Sequence, residues 1–420
     1  MTDLWAAPVA EGPVDAVVTL PGSKSVTNRA LVLAALADSA SLIRHPLRAR
    51  DTELMAEGLR RMGAEVEGES AWAVQPRRMH GADVDCGLAG TVMRFLPVVA
   101  GLADSDVRFD GDPRSHERPM GPLVDALRTL GVEVDDDGRG ALPLTVRGRG
   151  FVKGGTVTLD ASASSQFVSA LLLVGPRFDE GLEVRHQGPP MPSAPHVRMS
   201  VSMLRAAGGV VDDDTPDVWR VAPGRLVGRD LDVEPDLSNA APFLAAALVT
   251  GGRVTIPGWP SGTSQAGDAL RELLASMGAK VSWGADGLTV SGTGSVAGID
   301  ADLHDVGELT PTLVALAVLA SSPSRLRGIA HLRGHETDRL TALAEAFGGL
   351  GAEVRASEDG LEVRPRPLHG GPFPTYDDHR IATAGAVVGL VVPGVQVVDV
   401  ATTAKTLPGF VDLWLHMLGR

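Results

Sequence analysis

The stretch MGAEV at residues 62–66 recurs in altered form along the whole chain and reveals its repeat structure. In each copy a glycine follows a run of helix-forming residues and precedes a valine-containing run. Because glycine tolerates the left-handed conformation of a helix C-terminal cap, each copy indicates a helix end followed by a strand. The other copies are LGVEV at 130–134, AGGVV at 207–211, MGAKV at 277–281, LGAEV at 350–354 and the terminal MLG at 417–419.

The spacing of these copies is nearly constant. Their glycines, at positions 63, 131, 208, 278, 351 and 419, are separated by 68, 77, 70, 73 and 68 residues. A second segment rich in Ala, Leu and Val precedes each glycine, so every repeat is predicted to contain two helices. These earlier segments are residues 25–37, 91–102, 165–174, 239–249, 309–320 and 379–391.

Short runs of Val, Leu and Thr follow the helices and contain Asp-Gly turns. Residues 134–146, 281–290 and 354–363 have this pattern, which is typical of β-hairpins. Each repeat is therefore roughly βαβαββ, and the chain is predicted to be an α/β protein of six such units. The last unit stops after its second helix, and we predict that the N-terminal run at 14–20 supplies its missing strands.

Six repeats are compatible with two architectures. A solenoid would stack them into one extended binding surface. The alternative is two globular domains of three units each. The chain has 420 residues, of which 44% are hydrophobic, and this length exceeds what one core normally holds. The sequence therefore favours two globular domains.

Composition limits the classes of function. A single cysteine, Cys86, rules out an internal disulfide and is typical of a reducing cytoplasm. The N-terminal residues lack the pattern of a signal peptide, and no run of 18 apolar residues occurs, so we expect no membrane partner. The net charge of −14 argues against a nucleic-acid partner, although a cleft can still gather cations for a small anion. The histidines show neither HxxxH nor HExxH spacing, so no metal is expected.

The motif PGSKSVTNR at 21–29 carries the clearest chemical signal. A Pro-Gly turn leads into a helix whose first residues include Lys24, Ser25 and Arg29. Free N–H groups and the positive end of the helix dipole favour an anion at such a position. The segment is no nucleotide-binding P-loop, because GxxxxGK[ST] is absent. The alternative is an ordinary capped helix with solvated charges.

Polar residues also open the helices of later repeats. Gly90 precedes Arg94 in a predicted helix, and its missing side chain could let a ligand approach the backbone closely. The alternative is that Gly90 only permits tight packing. Ser164, Ser165 and Gln166 could bind a phosphate or simply cap a helix. In the fifth repeat, Asp305 and Glu336 lie near arginines. These carboxylates either transfer protons or only cap helices and pair with cations.

Seven motifs in order resemble one enzyme family, the EPSP synthases (3-phosphoshikimate 1-carboxyvinyltransferases). They are PGSKSVTNR, LAGTVMR, ERPM, SSQF, ETDR, DDHR and TTAKT. The resemblance implies an enolpyruvyl transferase-like inside-out α/β barrel, with two similar domains of three βαβαββ units. One domain is expected at residues 1–20 plus 234–420 and the other at 21–233, with the active site in the cleft between them.

The resemblance also implies a reaction. The family transfers the enolpyruvyl group of phosphoenolpyruvate to the 5-hydroxyl of shikimate 3-phosphate and releases phosphate through a tetrahedral intermediate. This step belongs to the shikimate pathway, which leads to chorismate and the aromatic amino acids. We therefore expect a cytoplasmic monomer that acts on these two small molecules without cofactor or metal.

Residue roles follow from the matched motifs. The residues implied in acid/base chemistry are Asp305, Glu336 and Lys24. Those implied in binding shikimate 3-phosphate are Lys24, Ser25, Arg29, Ser164, Ser165, Gln166, Ser193, Asp305, His331 and His335. Those implied in binding phosphoenolpyruvate are Lys24, Gly90, Arg118, Gln166, Arg339, Arg380 and Lys405.

The chain departs from the common family pattern at several positions. Leu88 replaces a frequent Asn, His196 a frequent Tyr, and His331 and His335 replace Asn and Lys. Individual substrate contacts of these histidines are therefore in doubt. Gly90 keeps the small residue expected of enzymes that are sensitive to glyphosate, an inhibitor of the phosphoenolpyruvate site, so we expect inhibition.

Three other functions compete with this one. The sister enolpyruvyl transferase that acts on UDP-N-acetylglucosamine typically has a reactive cysteine in a mobile loop, and the corresponding loop at 112–120 has none. An RNA 3'-phosphate cyclase would need to bind RNA, which the charge disfavours. A repeat scaffold would spread its binding residues along one face, whereas these motifs lie at helix starts.

Overall fold

The computed structural model describes residues 3–420. The chain divides into two compact units. Gly22–Val233 form one, here called the inserted unit, and Met1–Pro21 with Glu234–Arg420 form the other, here called the flanking unit. The flanking unit is thus discontinuous in sequence.

Each repeat contains two α-helices, as the glycine spacing predicts. The inserted unit has α1 Lys24–Ala35, α2 Arg50–Arg61, α3 Gly90–Ala100, α4 Gly121–Thr129, α5 Gln166–Val174 and α6 Ala194–Ala206. The flanking unit has α7 Ala241–Thr250, α8 Leu270–Ser276, α9 Thr310–Val318, α10 Arg339–Gly348, α11 His379–Gly389 and α12 Phe410–Met417.

The strands are short, between two and five residues. The first two, β1 Leu4–Ala6 and β2 Asp15–Val17, belong to the flanking unit. The inserted unit contains β3 Ser41–Arg44, β4 Glu65–Glu67, β5 Ala71–Gln75, β6 Ala82–Asp85, β7 Asp106–Asp110, β8 Glu133–Asp135, β9 Leu144–Arg147, β10 Gly155–Leu159, β11 Leu182–His186, β12 Val211–Asp212, β13 Val218–Val221 and β14 Asp230–Asp232. The flanking unit continues with β15 Arg253–Ile256, β16 Lys280–Gly284, β17 Gly287–Ser291, β18 Asp300–Asp302, β19 Ser324–Arg327, β20 Glu353–Ala356, β21 Leu361–Arg364, β22 Gly371–Phe373 and β23 Val395–Val398.

Each repeat builds one small sheet. In the second repeat the order is β6–β7–β9–β8, with β6 and β7 parallel and the other pairs antiparallel. The parallel pair is joined through a helix and the last two strands form a hairpin, which is the βαβαββ pattern. The three predicted hairpins are confirmed as β8/β9, β16/β17 and β20/β21.

The predicted place of the N-terminal strand was wrong. Within the 14–20 run, β2 pairs in parallel with β15 and so completes the fourth sheet, not the last one. The last sheet instead gains β1, which is antiparallel to β23. The physical reason is that the chain re-enters the flanking unit directly at α7, without a strand before that helix. The fourth repeat therefore lacks its own first strand, and β2 takes that position.

The first helix of each repeat forms the core of its unit. Every residue of α3 and of α9 is buried, and a mainly apolar helix without an exposed face is stable only inside a protein. The strands around these helices alternate buried and exposed residues, as β7 does, so one face of each sheet packs inward. None of the helices in the described part of the chain has the length and apolar composition needed to cross a bilayer.

A substitution at Gly252, which precedes β15, tests how the N-terminal segment packs beside β15. A Cβ atom at Gly252 would lie 2.0 Å from the carbonyl oxygen of Val14, so Gly252→Ala must displace the backbone before β2. We expect the free energy of unfolding to fall by about 2–4 kcal/mol in urea titrations. Gly348→Ala is the matched control, because nothing lies within 4 Å of its added Cβ. A helical alanine there should be neutral or stabilise by up to about 1 kcal/mol, and equal effects of the two substitutions would contradict the packing argument.

Candidate active site

Three helices of the inserted unit begin close together. Their first residues are Lys24 in α1, Gly90 in α3 and Gln166 in α5. The starts are linked by hydrogen bonds, since the Asn28 amide donates to Thr91 Oγ1 at 2.7 Å and Arg94 donates to Gln166 Oε1 at 3.0 Å. The positive dipole ends of three helices therefore lie at one end of the core, where an anion is favoured.

Lys24 is held by a carboxylate that the sequence reading did not single out. Its Nζ lies 3.2 Å from Oδ2 of Asp51, which is in the first turn of α2. The Asp51 side chain is 2% exposed, whereas that of Lys24 is 20% exposed. The ammonium group is thus anchored on its buried side and still reaches solvent.

Arg29 is almost fully buried, at 1% exposure. Its guanidinium donates to the carbonyl of Ser25, to Ser200 Oγ and to the carbonyl of His196, at 3.0, 2.8 and 3.0 Å. It also lies over the Phe95 ring. Arg29 therefore connects the start of α1 to α6, which carries His196 and Ser200.

Gly90 lies against two arginines. A Cβ atom there would be 2.9 Å from a guanidinium nitrogen of Arg118 and 2.9 Å from one of Arg94. Both side chains are buried, and Arg118 donates to the carbonyl of Leu88 at 3.2 Å. The missing side chain at Gly90 thus lets two cations approach the start of α3.

Serine hydroxyl groups lie at the starts of α5 and α6. Ser165 is the N-cap residue of α5 and is buried, and Ser164 Oγ accepts from the N–H of Gln166 at 3.3 Å. Ser193 is the N-cap residue of α6 and has a left-handed backbone with φ of 55°. A non-glycine residue in that region is uncommon and marks a constrained position.

In the flanking unit, Glu336 lies between two cations. Its Oε1 is 2.8 Å from Lys405 Nζ, and its Oε2 is 2.9 Å from Arg339. Arg339 also donates to Asp378, at 2.6 Å, and both of these side chains are almost completely buried. Burial alone would lower the pKa of Arg339, but the carboxylates of Asp378 and Glu336 outweigh it and hold that pKa above its usual range.

Two more predicted residues lie at helix starts of this unit. Arg380, the second residue of α11, donates to Ser238 Oγ at 3.2 Å and lies 3.6 Å from Glu308. Asp305 is partly buried and precedes the short turn Gly307–Leu309 that leads into α9. Gly307 packs on His331, since a Cβ there would lie 2.7 Å from His331 Nε2. The loop of Asp305 therefore touches the turn that leads to Glu336.

His304, His331 and His335 form a row of rings beside Glu336. The ring centroids of His304 and His331 are 5.9 Å apart, and those of His331 and His335 are 5.8 Å apart. His335 Nδ1 lies 3.1 Å from Arg339, which can only donate, so His335 accepts at this nitrogen. Burial lowers the pKa of His331 to about 4, and the nearby His304 and Arg339 act in the same direction.

The structure therefore assembles the predicted residues into two groups, one in each unit. The roles given to them by resemblance stay predictions, as do substrate contacts of His331 and His335. Sequence reasoning did not place Asp51, Asp378 or Arg94 among the site residues. The DDHR motif contained a signal for Asp378, whereas an aspartate in a first helical turn, such as Asp51, is too common to be one.

The fold is that of the enolpyruvyl transferases. The enolpyruvyl transferase NikO from Streptomyces tendae matches 97% of this chain with 96% of its own, at a TM-score of 0.76 and 19% identity. The EPSP synthase from Acinetobacter baumannii matches 99% of this chain with 97% of its own, at a TM-score of 0.79 and 25% identity.

Sequence comparison identifies the family within this class. The profile of the EPSP synthase (3-phosphoshikimate 1-carboxyvinyltransferase) family matches residues 9–414. A 3-phosphoshikimate 1-carboxyvinyltransferase from Kocuria rhizophila is 55% identical, in an alignment that covers 99% of this chain and 97% of that protein. The chain belongs to the EPSP synthase family.

The lowered pKa of His331 predicts a specific pH dependence. Between about pH 6.5 and 4 the unfolded chain binds a proton at His331 that the folded protein does not, so stability falls as the pH falls through this window. His331→Asn removes that proton site. From pH 7 to 4.5, wild type should lose about 2 kcal/mol more unfolding free energy than the variant.

Urea titrations at both pH values measure this difference. His369→Asn serves as the control, because the His369 side chain is exposed. It should follow the wild-type pH dependence. If His331→Asn also follows it, the folded protein protonates His331 normally and the prediction is wrong.

Proposed function

We infer that this protein transfers the enolpyruvyl group of phosphoenolpyruvate to the 5-hydroxyl of shikimate 3-phosphate and releases phosphate. The observation that carries this inference is Glu336, a carboxyl group held between the cations Lys405 and Arg339. A proton-transfer group beside cations suits an addition to an anionic enol phosphate. Membership of the EPSP synthase family supports the same reaction.

Shikimate 3-phosphate would bind mainly at the helix starts of the inserted unit. The hydroxyls of Ser164, Ser165 and Ser193 and three helix N-termini offer donors to a phosphate without adding net charge. Lys24 and Ser25 would add further contacts. Arg29 is proposed for the carboxylate, although several of its donors are already used within the protein.

Phosphoenolpyruvate carries up to three negative charges and needs several cations. We propose Lys24 and Arg118 from the inserted unit, and Arg339, Arg380 and Lys405 from the flanking unit. Gly90 would let this ligand approach the start of α3, and Gln166 would lie between the two substrates. Both groups of side chains would act on the same substrate pair, and the expected cleft between the domains stays a prediction.

The chemistry has two stages. In the addition, the 5-hydroxyl oxygen bonds to C2 of phosphoenolpyruvate, the methylene carbon takes a proton, and the hydroxyl loses one. In the elimination, the new methyl group loses a proton, the C2–O bond to phosphate breaks, and the enol ether double bond forms. Asp305, Glu336 and Lys24 are the proposed proton carriers, and their division between the two stages is open.

The proposed reaction needs no cofactor or metal. Within residues 3–420, no group of three or more His, Cys, Asp or Glu side chains is arranged to hold a metal ion. We further propose that the protein works as a monomer in the cytoplasm. The single cysteine, Cys86, supports a reducing compartment.

Phosphate release from the purified protein tests the function. We expect release with phosphoenolpyruvate and shikimate 3-phosphate together, none with either alone, and none when UDP-N-acetylglucosamine replaces shikimate 3-phosphate. Glyphosate should inhibit the reaction in competition with phosphoenolpyruvate, since Gly90 leaves that site open. If phosphate is released only when UDP-N-acetylglucosamine is the acceptor for phosphoenolpyruvate, the protein has the sister activity. No release with either pair would overturn the enzymatic function.

Glu336→Gln keeps the shape of the side chain and removes its capacity to exchange a proton. We expect kcat to fall by about 10²- to 10⁴-fold, with little change in the affinity for shikimate 3-phosphate measured by calorimetry. Glu358→Gln, at an exposed hairpin turn, is the control and should retain full kcat. A Glu336→Gln enzyme with near-normal kcat would exclude Glu336 from proton transfer.

A further inference from the structure

The inserted unit contains an apolar cavity that none of the proposed substrate-binding residues lines. It has a volume of about 240 Å³ and lies between α1, α6 and the strands β3 and β14. Leu33 and Ala34 of α1, Ile43 of β3 and Met203 of α6 form its walls. In other proteins an apolar cavity of about 150 Å³ is enough to hold a benzene ring, so this one has room for two fused rings.

The mouth of the cavity combines an exposed apolar side chain with a cation. Val227 is 59% exposed, although it is a large hydrophobic residue. Arg229 is the one charged side chain among the described residues of the lining. Across residues 3–420, no carboxylate lies within the 4.0 Å ion-pair distance of its guanidinium. An apolar interior with an uncompensated cation at its entrance fits a ligand with a flat apolar body and one negative group.

The cavity shares its two helices with the candidate active site. Ala30 and Leu33 line it and follow Arg29 on α1, while Met203 follows Ser200 on α6. Arg29 joins these helices through its 2.8 Å hydrogen bond to Ser200 Oγ. A ligand in the cavity would therefore contact both of the helices that Arg29 joins.

We propose that this cavity is a binding site for a small aromatic carboxylate, with the rings between α1 and α6 and the carboxylate at Arg229. Occupancy of the cavity weakens the binding of shikimate 3-phosphate, because the ligand restricts the two helices that Arg29 joins. The site is separate from the proposed catalytic one. Only the effect on shikimate 3-phosphate binding rests on the proposed function.

Calorimetric titration of the whole protein with 1-naphthoate tests the site directly. We expect a Kd of about 1 mM or tighter. Ala206→Trp should abolish binding, because Ala206 is the exposed last residue of α6 at the mouth, where an indole can fill the cavity from the solvent side. No binding by wild type up to 5 mM, about five times that Kd, or unchanged binding by Ala206→Trp, would overturn the proposal.

Arg229→Gln tests the charge at the mouth. The backbone N–H of Arg229 donates to Ser41 Oγ and is kept in this variant. The substitution should weaken 1-naphthoate about fivefold and leave the neutral 1-naphthamide unaffected. Arg325→Gln, at an exposed position of β19, is the control and should bind 1-naphthoate like wild type. Equal weakening by both substitutions would show a non-specific charge effect and overturn the assigned site.

The effect on turnover is measured separately. Saturating 1-naphthoate should raise the KM for shikimate 3-phosphate about fivefold in wild type, the lower end of typical coupling between sites. It should leave this KM unchanged in Ala206→Trp. Ala206→Trp should also unfold at the wild-type temperature and keep wild-type kcat without the probe. Binding without any change in KM would overturn the coupling, whereas an enzyme inactive in every assay but still binding 1-naphthoate would overturn only the proposed function.

Discussion

The first helix of each repeat has no solvent-exposed residue, and this constraint governs the rest of the structure. Helices such as α3 and α9 are buried along their whole length, so they can only lie inside their unit. The first N–H groups of a buried helix have no partner within the helix. Side chains or a ligand must satisfy them, and polar residues are therefore gathered where these helices begin.

The same constraint explains why an acidic protein concentrates cations at a few positions. A charge inside a protein is costly unless it is paired, and several cations of the candidate site have carboxylate partners. Lys24 pairs with Asp51, Lys405 with Glu336, and Arg339 with both Glu336 and Asp378. These pairs hold the cations in position before an anionic substrate arrives, which reduces the ordering that binding requires. Removing one carboxylate would therefore change both stability and function.

Much of the fold was predictable because local signals repeat. The helix of the second repeat was predicted at 91–102 and is Gly90–Ala100, and that of the third was predicted at 165–174 and is Gln166–Val174. Glycine caps and long apolar runs involve only a few neighbouring residues, so the helices that they mark can be recognised in the sequence. The position of β2 was wrong because strand pairing joins residues far apart in the chain. Asp15 pairs with Arg253, and no local signal distinguishes this partner from Val395–Val398.

The six βαβαββ repeats, their helices and hairpins, and the motifs shared with EPSP synthases could all be recognised in the amino-acid sequence. Which side chains meet depends on tertiary packing. Lys24 and Asp51 are 27 positions apart, Arg339 and Asp378 are 39 apart, and Glu336 and Lys405 are 69 apart. The members of these pairs lie on separate helices or turns, so their contact depends on how the elements pack. The physical reason is that periodicity and caps arise from interactions within one helix or strand, whereas the candidate site forms where several helices and turns pack together.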